Sequence, residues 1–465
     1  MNRHSPSRGR KAALLSAILA GACVVAVMPQ MASAMSLKDA ISLVIQTNPD
    51  VNGAMRDRRA TDYELRQGRG LYYPQIDFRA QGGPEYTESS TVDAGDPTLD
   101  QKPHDNGIGL MRGDADITLQ QRIFDGFDAS NEVDRQKARV ASAANVVQDK
   151  SQINSLDATR FYLDVLRNQG RVDNAAANVK AHEDTLALVQ KRADLGGGNV
   201  ADVRQAEARL ATARTQLKTI QGNLRDAQTN FQRVIGQAPA DLEPVSFTYD
   251  SLVPEDVEKS VAHAIEISPK VQGAKYDVVA AEHLLGRQEA AMYPTLNLNA
   301  TAAVNHYDNG IKQVGHSANA LLVLDYNIYR GGADLARIRE FKWRKQEAID
   351  AVRNQERVVA KDVRDAWSER QTQRDTVETL TEEYDKNVET TKLYEQQFDI
   401  GQRSLLDLLN ARNEVFQSQD QLITAQSNEV LANFKILAAQ GELVQAVGVS
   451  LPKEATPKEV EYDSN

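Results

Sequence analysis

The side chains that most often perform chemistry in proteins are present here, but not in the spacings that catalysis or metal binding requires. The seven histidines include no HExxH motif and no pair at ligand spacing, so a zinc site is not expected. The glycines at 196–198 are followed by Asn199 and Val200, whereas a phosphate-binding loop continues with Lys and Ser or Thr. No serine nucleophile motif is found, and Cys23 is the only cysteine. We therefore expect a protein that has no cofactor and is not an enzyme.

Two similar stretches around glycines carry the charged residues that remain of interest. FDIGQRSLLDLLNA (398–411) and DLGGGNVADVRQA (194–206) share a small hydrophobe, a glycine, polar residues and an aspartate, 205 residues apart. Glycine permits a left-handed turn, and a polar residue before the next apolar one can cap a new helix. Each stretch therefore predicts a break between two helices. Arg403 and Asp407 are spaced i, i+4, and on a solvated helix such a pair contributes about 0.2–0.5 kcal/mol.

Long helices are predicted on both sides of these breaks. All 14 prolines lie outside the intervals 104–238 and 295–451. Uninterrupted helices are expected at 129–195 and 334–400, each about 100 Å long at roughly 1.5 Å per residue. Helices that return from the breaks, at 200–236 and 405–448, carry apolar residues every seven positions in two seams, as in Val203, Leu210 and Ala206, Ala213. This heptad pattern predicts left-handed coiled packing.

The chain contains the same order of elements twice. NPDVNGA (48–54) matches SPKVQGA (268–274) at an offset of 220, and IFDG (123–126) matches IYRG (328–331) at an offset of 205. The change of offset predicts an exposed loop inserted in the first copy, rich in turn formers, at 82–107. We predict repeats at 35–245 and 246–451, each with a first helix (37–71 and 257–292), and a polar C-terminal tail at 452–465.

Two β-hairpins, at 74–123 and 294–329, are predicted from alternating apolar and polar residues. Ile76 and Phe78 alternate in the first hairpin, and Leu322 and Leu324 in the second. Segments of about ten residues with one apolar side are what outer-membrane strands require. Four strands cannot close a barrel, and an open edge in lipid leaves backbone groups unpaired. The chain is therefore expected to oligomerise, with eight strands in a dimer or twelve in a trimer.

The N-terminus predicts export. Four basic residues precede an apolar run at 12–27, and the small residues 32–34 supply a cleavage site, so 1–34 is expected to be a signal peptide. Cleavage leaves 50 basic against 65 acidic residues, a formal charge of −15 in place of −11. A chain this acidic is not expected to bind nucleic acid. Lipidation of Cys23 is disfavoured, because more of the apolar core follows it.

In their order and duplication these stretches resemble the TolC-like outer membrane factors of type I secretion and multidrug efflux. The resemblance spans the whole mature chain and is carried by NPDV (48–51), YPQIDF, YPTLNL, RFYLDVL, IYRGG (328–332) and IGQRSLLDLLNA (400–411). It implies a mainly helical homotrimer with a twelve-stranded β-barrel in the outer membrane of a Gram-negative cell and a periplasmic α-barrel. It also implies outer-membrane lipid, a periplasmic adaptor (membrane fusion protein) and an inner-membrane ABC or other pump as partners.

The resemblance further implies roles for residues at the two breaks. Asp407 matches the position whose carboxylates ring the constricted entrance, and Asn410 stands where some relatives have a second acid. Arg403 matches the basic gate residue, with Asp202 as its acidic partner. Phe398 stands where Tyr is common, and losing the hydroxyl would remove a hydrogen bond of about 0.5–1.5 kcal/mol. The adaptor would dock on Leu195, Gly196, Val200, Ile400, Gly401 and Leu405.

The stretch KRADLGGGNVADVRQAEARLA (191–211) is similar to the type I secretion branch of the family. The absence of a lipidation motif points the same way. Both favour a channel for polypeptide export, with the outer-membrane component of multidrug efflux as the alternative. A soluble periplasmic coiled-coil adaptor or scaffold is a distant alternative, because it would lack amphipathic strands.

Overall fold

A computed structural model describes residues 34–89, 92, 107–239, 241–245 and 256–460. The predicted signal peptide lies outside these residues except for Ala34, as does most of the predicted loop 82–107 and the end of the C-terminal tail. Each repeat supplies two shorter helices, two strands, one 67-residue helix and one returning helix. In the first repeat these are α1 (Leu37–Thr47), α2 (Pro49–Gly70), β1 (Gln75–Thr87), β2 (Ile108–Phe124), α3 (Asp128–Asp194) and α4 (Val200–Ile235).

The second repeat has the same order and adds a short final helix. Its elements are α5 (Val257–Ile267), α6 (Pro269–Glu289), β3 (Thr295–His306), β4 (Val314–Asp325), α7 (Ala333–Asp399), α8 (Leu405–Gln440) and α9 (Leu443–Ala446). Among the described helices, none combines the length and the apolarity needed to cross a bilayer.

Three predicted helices end earlier than expected. The helices predicted at 37–71 and 257–292 are each divided, because Asn48 and Ser268 precede prolines and adopt extended backbone with ψ near 129° and 127°. The returning helix predicted to reach 448 stops at Gln440, where Gly441 takes a left-handed φ of 84°.

The helices form a wall that is four helices wide at two levels. In the half next to the sheet the neighbours are α2, α3, α6 and α7, and in the other half they are α4, α3, α8 and α7. The heptad seams of the returning helices are confirmed, since Val203, Leu210, Ala206 and Ala213 of α4 are all buried. Leu217 and Leu224, which continue the first of these seams, are only half-buried, and Ile235 is buried at the end of the helix.

The largest apolar cluster lies where the short helices meet the long ones. Tyr162 of α3 is fully buried there beside Phe231 and donates its hydroxyl to the carbonyls of Met35 (2.7 Å) and Glu243 (2.8 Å). Burial raises the pKa of Tyr162 to about 12, so the hydroxyl remains a donor throughout the physiological range. These contacts hold the residues before the first helix and the segment after the first returning helix against α3.

The four strands form one antiparallel sheet in the order β1-β2-β3-β4. Its register places apolar residues opposite one another across the strands, and polar residues in the neighbouring rows. One apolar row is Phe78, Ile117, Ala302 and Ala318, and the next polar row is Asp77, Thr118, Thr301 and Asn319. Facing residues share a side of a sheet, so the predicted alternation is confirmed. β4 departs from it at Leu321 and Val323, which lie on the polar face.

The hairpin boundaries differ from those predicted. β1 continues through Gly82 and Pro84 to Thr87, within the predicted loop. Within one subunit β1 is an edge strand, which is the place in a sheet where a proline, lacking an N–H, is found. At the other edge β4 ends at Asp325, so Tyr326 and Ile328 follow the strand instead of continuing it.

The C-terminal segment is ordered against the first repeat up to residue 459. Arg59 of α2 pairs with Glu454 at 2.6 Å, and Arg69 pairs with Glu459 through both guanidinium nitrogens. The buried Arg58 donates to the carbonyl of Lys458 at 2.9 Å. The described part of the predicted polar tail is therefore packed on α2.

Candidate functional site

The candidate site comprises the two five-residue turns at the end of the helical wall remote from the sheet. Residues 195–199, the first tip, join α3 to α4. Gly196 has φ +79°, and its N–H donates to the carbonyl of Ala193 at 3.0 Å. The N–H of Gly197 donates to the carbonyl of Arg192, also at 3.0 Å. These two bonds around a left-handed glycine form a Schellman motif, which satisfies the last carbonyls of α3.

Residues 400–404, the second tip, repeat the same backbone between α7 and α8. Gly401 has φ +78° and donates to the carbonyl of Phe398 at 3.0 Å. Gln402 donates to the carbonyl of Gln397 at 2.8 Å. The predicted break at each glycine is therefore a Schellman turn in both repeats.

The helix that follows each tip begins with a side-chain cap. The Asn199 side chain accepts a hydrogen bond from the N–H of Ala201 at 2.9 Å, and Ser404 accepts one from Asp407 at 3.2 Å. Asp202 and Asp407 lie in the first turns of α4 and α8, where a negative charge is favoured by the helix dipole. Both aspartates thus stabilise a helix start, whatever further role they have.

The two tips differ at the fourth residue. The repeat offset places Gly198 of the first tip opposite Arg403 of the second. A Cβ at Gly198 would lie 2.8 Å from the backbone nitrogen of Ala193, closer than real Cβ atoms approach. The first tip therefore folds tightly back onto α3, whereas the second tip carries a long basic side chain.

One apolar cluster, which we call the tip cluster, connects the two tips. Phe398, which is 8% exposed, supplies the aromatic ring among the buried members of this cluster. The buried members come from α3, α4, α7 and α8, and are Val189, Val203, Ala206, Phe398, Leu405, Leu408 and Leu409. Because both returning helices and both long helices contribute, the ends of all four helices are packed as one unit.

All six predicted docking residues lie at or beside the turns, but only five of them are exposed. Leu195 is 78% exposed, and Val200 and Ile400 are each 68% exposed. Leu405, in contrast, is 4% exposed within the tip cluster, so its side chain is not on a docking surface as predicted. The exposed leucine of that turn is Leu406. Leu405 faces inward because α8 begins there and directs its first seam residue toward the neighbouring helices.

The predicted gate residues are only partly brought together within one chain. Arg403 Nε lies 3.7 Å from Asp407 Oδ2, and its guanidinium lies 3.7 Å from the centre of the Tyr394 ring. In the part of the chain that the structure describes, Arg403 makes no ion pair with Asp202. The predicted Asp202–Arg403 pair is therefore not formed inside the subunit. Asn410 is exposed and accepts a hydrogen bond from Arg209 of α4 at 3.1 Å.

Two arginines that the sequence did not single out join the first repeat to the second. Arg192, in the last turn of α3, donates to the carbonyls of Phe398 and Asp399 at the end of α7. Arg412 of α8 donates to Ala181 and Thr185 of α3. Arginines are frequent on long helices, so only the proximity of each arginine to the other repeat could have marked them, and the sequence does not show that proximity.

His182 lies beside Arg412 and is buried. Burial lowers its pKa, and the positive charges of Arg412 and Arg209 lower the pKa further. The imidazole therefore remains neutral around neutral pH, which avoids a third positive charge in this region. Over the described ranges, no group of three His, Cys, Asp or Glu side chains is placed to hold a metal ion.

The chain matches the family model described as "Outer membrane efflux protein" at residues 40–237 and 261–442. These two segments cover more than half of the chain and fall within the two repeats. The resemblance noted from the sequence is thereby confirmed.

Similar proteins include both efflux and secretion components. The outer membrane efflux protein BepC of Brucella suis is 26% identical over 426 residues, which cover 89% of this chain and 87% of that protein. The alkaline protease secretion protein AprF of Pseudomonas aeruginosa is 20% identical over 422 residues, covering 89% and 86%. The toluene efflux pump outer membrane protein TtgF of Pseudomonas putida is 24% identical over 340 residues, covering 72% and 71%.

Solved structures share the fold. CusC superposes with a TM-score of 0.73 at 16% identity, covering 89% of this chain and 92% of that one. VceC of Vibrio cholerae superposes with a TM-score of 0.71 at 17% identity, covering 90% and 97%. The protein is thus located in the outer membrane, extends into the periplasm, and serves as the channel of an export system. By the two matched segments and the shared fold, this chain belongs to the outer membrane efflux protein family.

Proposed function

We propose that three copies of the chain assemble into one outer-membrane channel, and that this channel exports polypeptides in type I secretion. In this proposal the sheets close a twelve-stranded barrel and the helical walls close a tunnel below it. The protein performs no catalysis, and its tips dock a periplasmic adaptor and constrict the entrance when no cargo passes.

The observation that carries the proposal is the unequal burial of two helices of equal length. α3 and α7 both have 67 residues, but 26 residues of α3 are buried and only seven of α7. α3 has neighbours on both flanks, whereas α7 lies at the edge of the wall. A further helix against α7 would cover the apolar side chains it exposes, which include Leu335, Trp343 and Leu393. Burying each such side chain contributes about 1.5–3 kcal/mol.

The sheet supports the same assembly. Its outer strands β1 and β4 each have one paired side, and its apolar face is exposed, with Phe78 at 71% and Leu322 at 68%. In a bilayer each unpaired backbone group costs several kcal/mol, so these edges have to pair. Joining β4 of one subunit to β1 of the next satisfies both edges and turns the apolar face toward lipid.

The polar face of the sheet suits the inside of a channel. Gln75, Gln120, Asn297 and Asn299 line a concavity together with the helix ends below the sheet, where Arg287 is found. A lumen lined with amides and charges passes hydrated cargo, whereas the apolar face opposite contacts lipid.

Polypeptide export is favoured by the stretch at 191–211 and by the protease-secretion relative. The efflux relatives, with the higher identities of 26% and 24%, support multidrug efflux as the second candidate. A deletion strain separates the two. Loss of one or more secreted proteins, restored by the intact gene, supports secretion. An unchanged set of secreted proteins with increased sensitivity to toxic small molecules supports efflux.

The assembly is tested on the protein itself. We expect it in outer-membrane fractions as a trimer that dissociates on heating in detergent. Trp343→Glu, which places a charge on the exposed edge of α7, should weaken that trimer, whereas Lys342→Glu places the same carboxylate at the preceding residue, which is already charged, and should not. A soluble periplasmic monomer would contradict the proposal and favour the adaptor or scaffold alternative.

A further inference from the structure

Arg192 makes a concentrated set of contacts between the two tips. Its Nη1 donates to the carbonyl of Phe398 at 3.1 Å, and its Nη2 donates to the carbonyl and to Oδ1 of Asp399, each at 3.2 Å. The guanidinium also lies 4.4 Å from the centre of the Phe398 ring. One side chain of the first repeat therefore contacts two consecutive residues of the second.

These contacts place a positive charge at the negative end of a helix. Phe398 and Asp399 are the last residues of α7, whose final carbonyls carry the partial negative charge of the helix dipole. The planar guanidinium can donate to two carbonyls at once, which an ammonium group cannot do in the same geometry. The backbone carbonyl of Arg192 meanwhile accepts the Schellman bond from Gly197. Arg192 is thus part of the first tip through its backbone and of the second through its side chain.

Among the described residues, the second repeat shows no equivalent link. The repeat offset places Gln397 at the position of Arg192, and Gln397 uses its carbonyl to accept the bond from Gln402. Other polar contacts between the repeats lie further along the helices, from Arg209 to Asn410 and from Arg412 to Thr185. Of these three contacts between the repeats, the one made by Arg192 lies nearest the turns.

We propose that Arg192 is a positioning residue that clamps the second tip to the first within each subunit. With the clamp in place, α3 and α7 end in register and the exposed apolar residues of both tips form one surface. Phe398 lacks the hydroxyl with which a tyrosine could form a hydrogen bond between the tips. Arg192 instead donates a hydrogen bond to the backbone carbonyl of Phe398. Opening of the entrance then requires the second hairpin to leave this clamp. The inference rests on the proposed function as a channel that closes at its tips.

The test uses the full-length protein purified in detergent and inserted into planar lipid bilayers. Arg192→Met keeps the length of the side chain but removes its charge and donors, and we expect a larger single-channel conductance. Arg192→Lys keeps the charge without the planar fork, and we expect an intermediate conductance. The matched control is Arg214→Met, because Arg214 pairs with Glu183 at 2.7 Å inside the first hairpin and, within the ranges that the structure describes, makes no ion pair with the second.

Amide hydrogen exchange separates a lost clamp from a general loss of stability. In Arg192→Met, exchange in 395–404 should be faster by about tenfold, while exchange along the middle of α3 stays unchanged. A variant that forms trimers but shows wild-type conductance and wild-type exchange would overturn the inference. Should Arg192→Met not assemble, the Arg192→Lys protein supplies the same two readouts. A wild-type protein that forms no channel would instead overturn the proposed function, so the two failures are distinguishable.

Discussion

The first and second tips turn the chain in the same way but are held in place by different means. Both have a left-handed glycine with φ near 78°, and both have the two hydrogen bonds of a Schellman motif. The first tip is held by close backbone contact at Gly198, whereas the second is held by the buried ring of Phe398. The duplication has therefore preserved the turn and let the supporting side chains diverge. Substitutions that act on one tip or on both can test that difference.

The largest loss of stability is expected from Phe398→Ala. This substitution places alanine at the position of the second repeat that corresponds to Ala193 of the first. Removing a buried aromatic ring leaves a cavity and costs about 3 kcal/mol. Because the tip cluster includes both returning helices, hydrogen exchange should become faster at both tips. Leu195→Ala is the control, since its exposed side chain should change stability by less than about 0.5 kcal/mol. Faster exchange at the second tip alone would show that the tips are not one cooperative unit.

A smaller effect is expected from Gly198→Ala. The new Cβ would contact the backbone of Ala193, and such overpacking costs about 1–3 kcal/mol. Gly197→Ala is a matched control, because its nearest atom would be 3.7 Å away. At the equivalent position of the second tip, Arg403→Ala should cost less than Gly198→Ala. Thermal unfolding of the purified trimers measures the loss of stability in all three variants. An equal loss for Gly197→Ala and Gly198→Ala would contradict the close contact at Gly198.

Equal effects are expected from Gly196→Ala and Gly401→Ala. Each glycine has φ > 0 and no atom within 4 Å of an added Cβ, so only the backbone penalty of about 1–2 kcal/mol applies. Asn tolerates this conformation better than Ala, and Gly196→Asn and Gly401→Asn should therefore be milder. A clear difference between the two alanine variants in thermal unfolding would mean that the tips do not share one turn.

The smallest effect on stability is expected from Arg403→Ser combined with Asp407→Ala. The half-exposed i, i+4 pair contributes about 0.2–0.5 kcal/mol and the contact of Arg403 with the Tyr394 ring about 0.5–1 kcal/mol, so trimers should remain intact. If these residues constrict the entrance, single-channel conductance in planar bilayers should increase. Asp202→Ala is the comparison in the first tip. Unchanged conductance in the double variant would favour an ordinary surface ion pair over a gate.

Much of the architecture was predictable because it depends on local patterns. Glycines within long proline-free segments predicted both turns, and seven-residue spacing predicted which side of α4 is buried. Alternation predicted the two faces of the sheet. In each case the responsible residues are close together in sequence, so the pattern is visible without knowing the neighbours.

Two of the wrong predictions concern the continuity of the first helix in each repeat and the exposure of Leu405. The prediction of continuous helices through the prolines at 49 and 269 is wrong, because the residue before a proline disfavours helical backbone. The resemblance implies that Leu405 is part of the docking surface, but the helix directs its side chain into the tip cluster and exposes Leu406 instead.

The sequence by itself determined the duplication, the length of the two uninterrupted helices, the position of the two turns and the alternation of faces over most of the sheet. These follow from periodicity and from the backbone preferences of glycine and proline, which act over a few residues. Only the tertiary structure decided that α3 is enclosed while α7 of equal length is left at an edge, and that Arg192 reaches the end of α7. Both depend on which segments about 200 residues apart become neighbours, and that is set by packing of the whole chain.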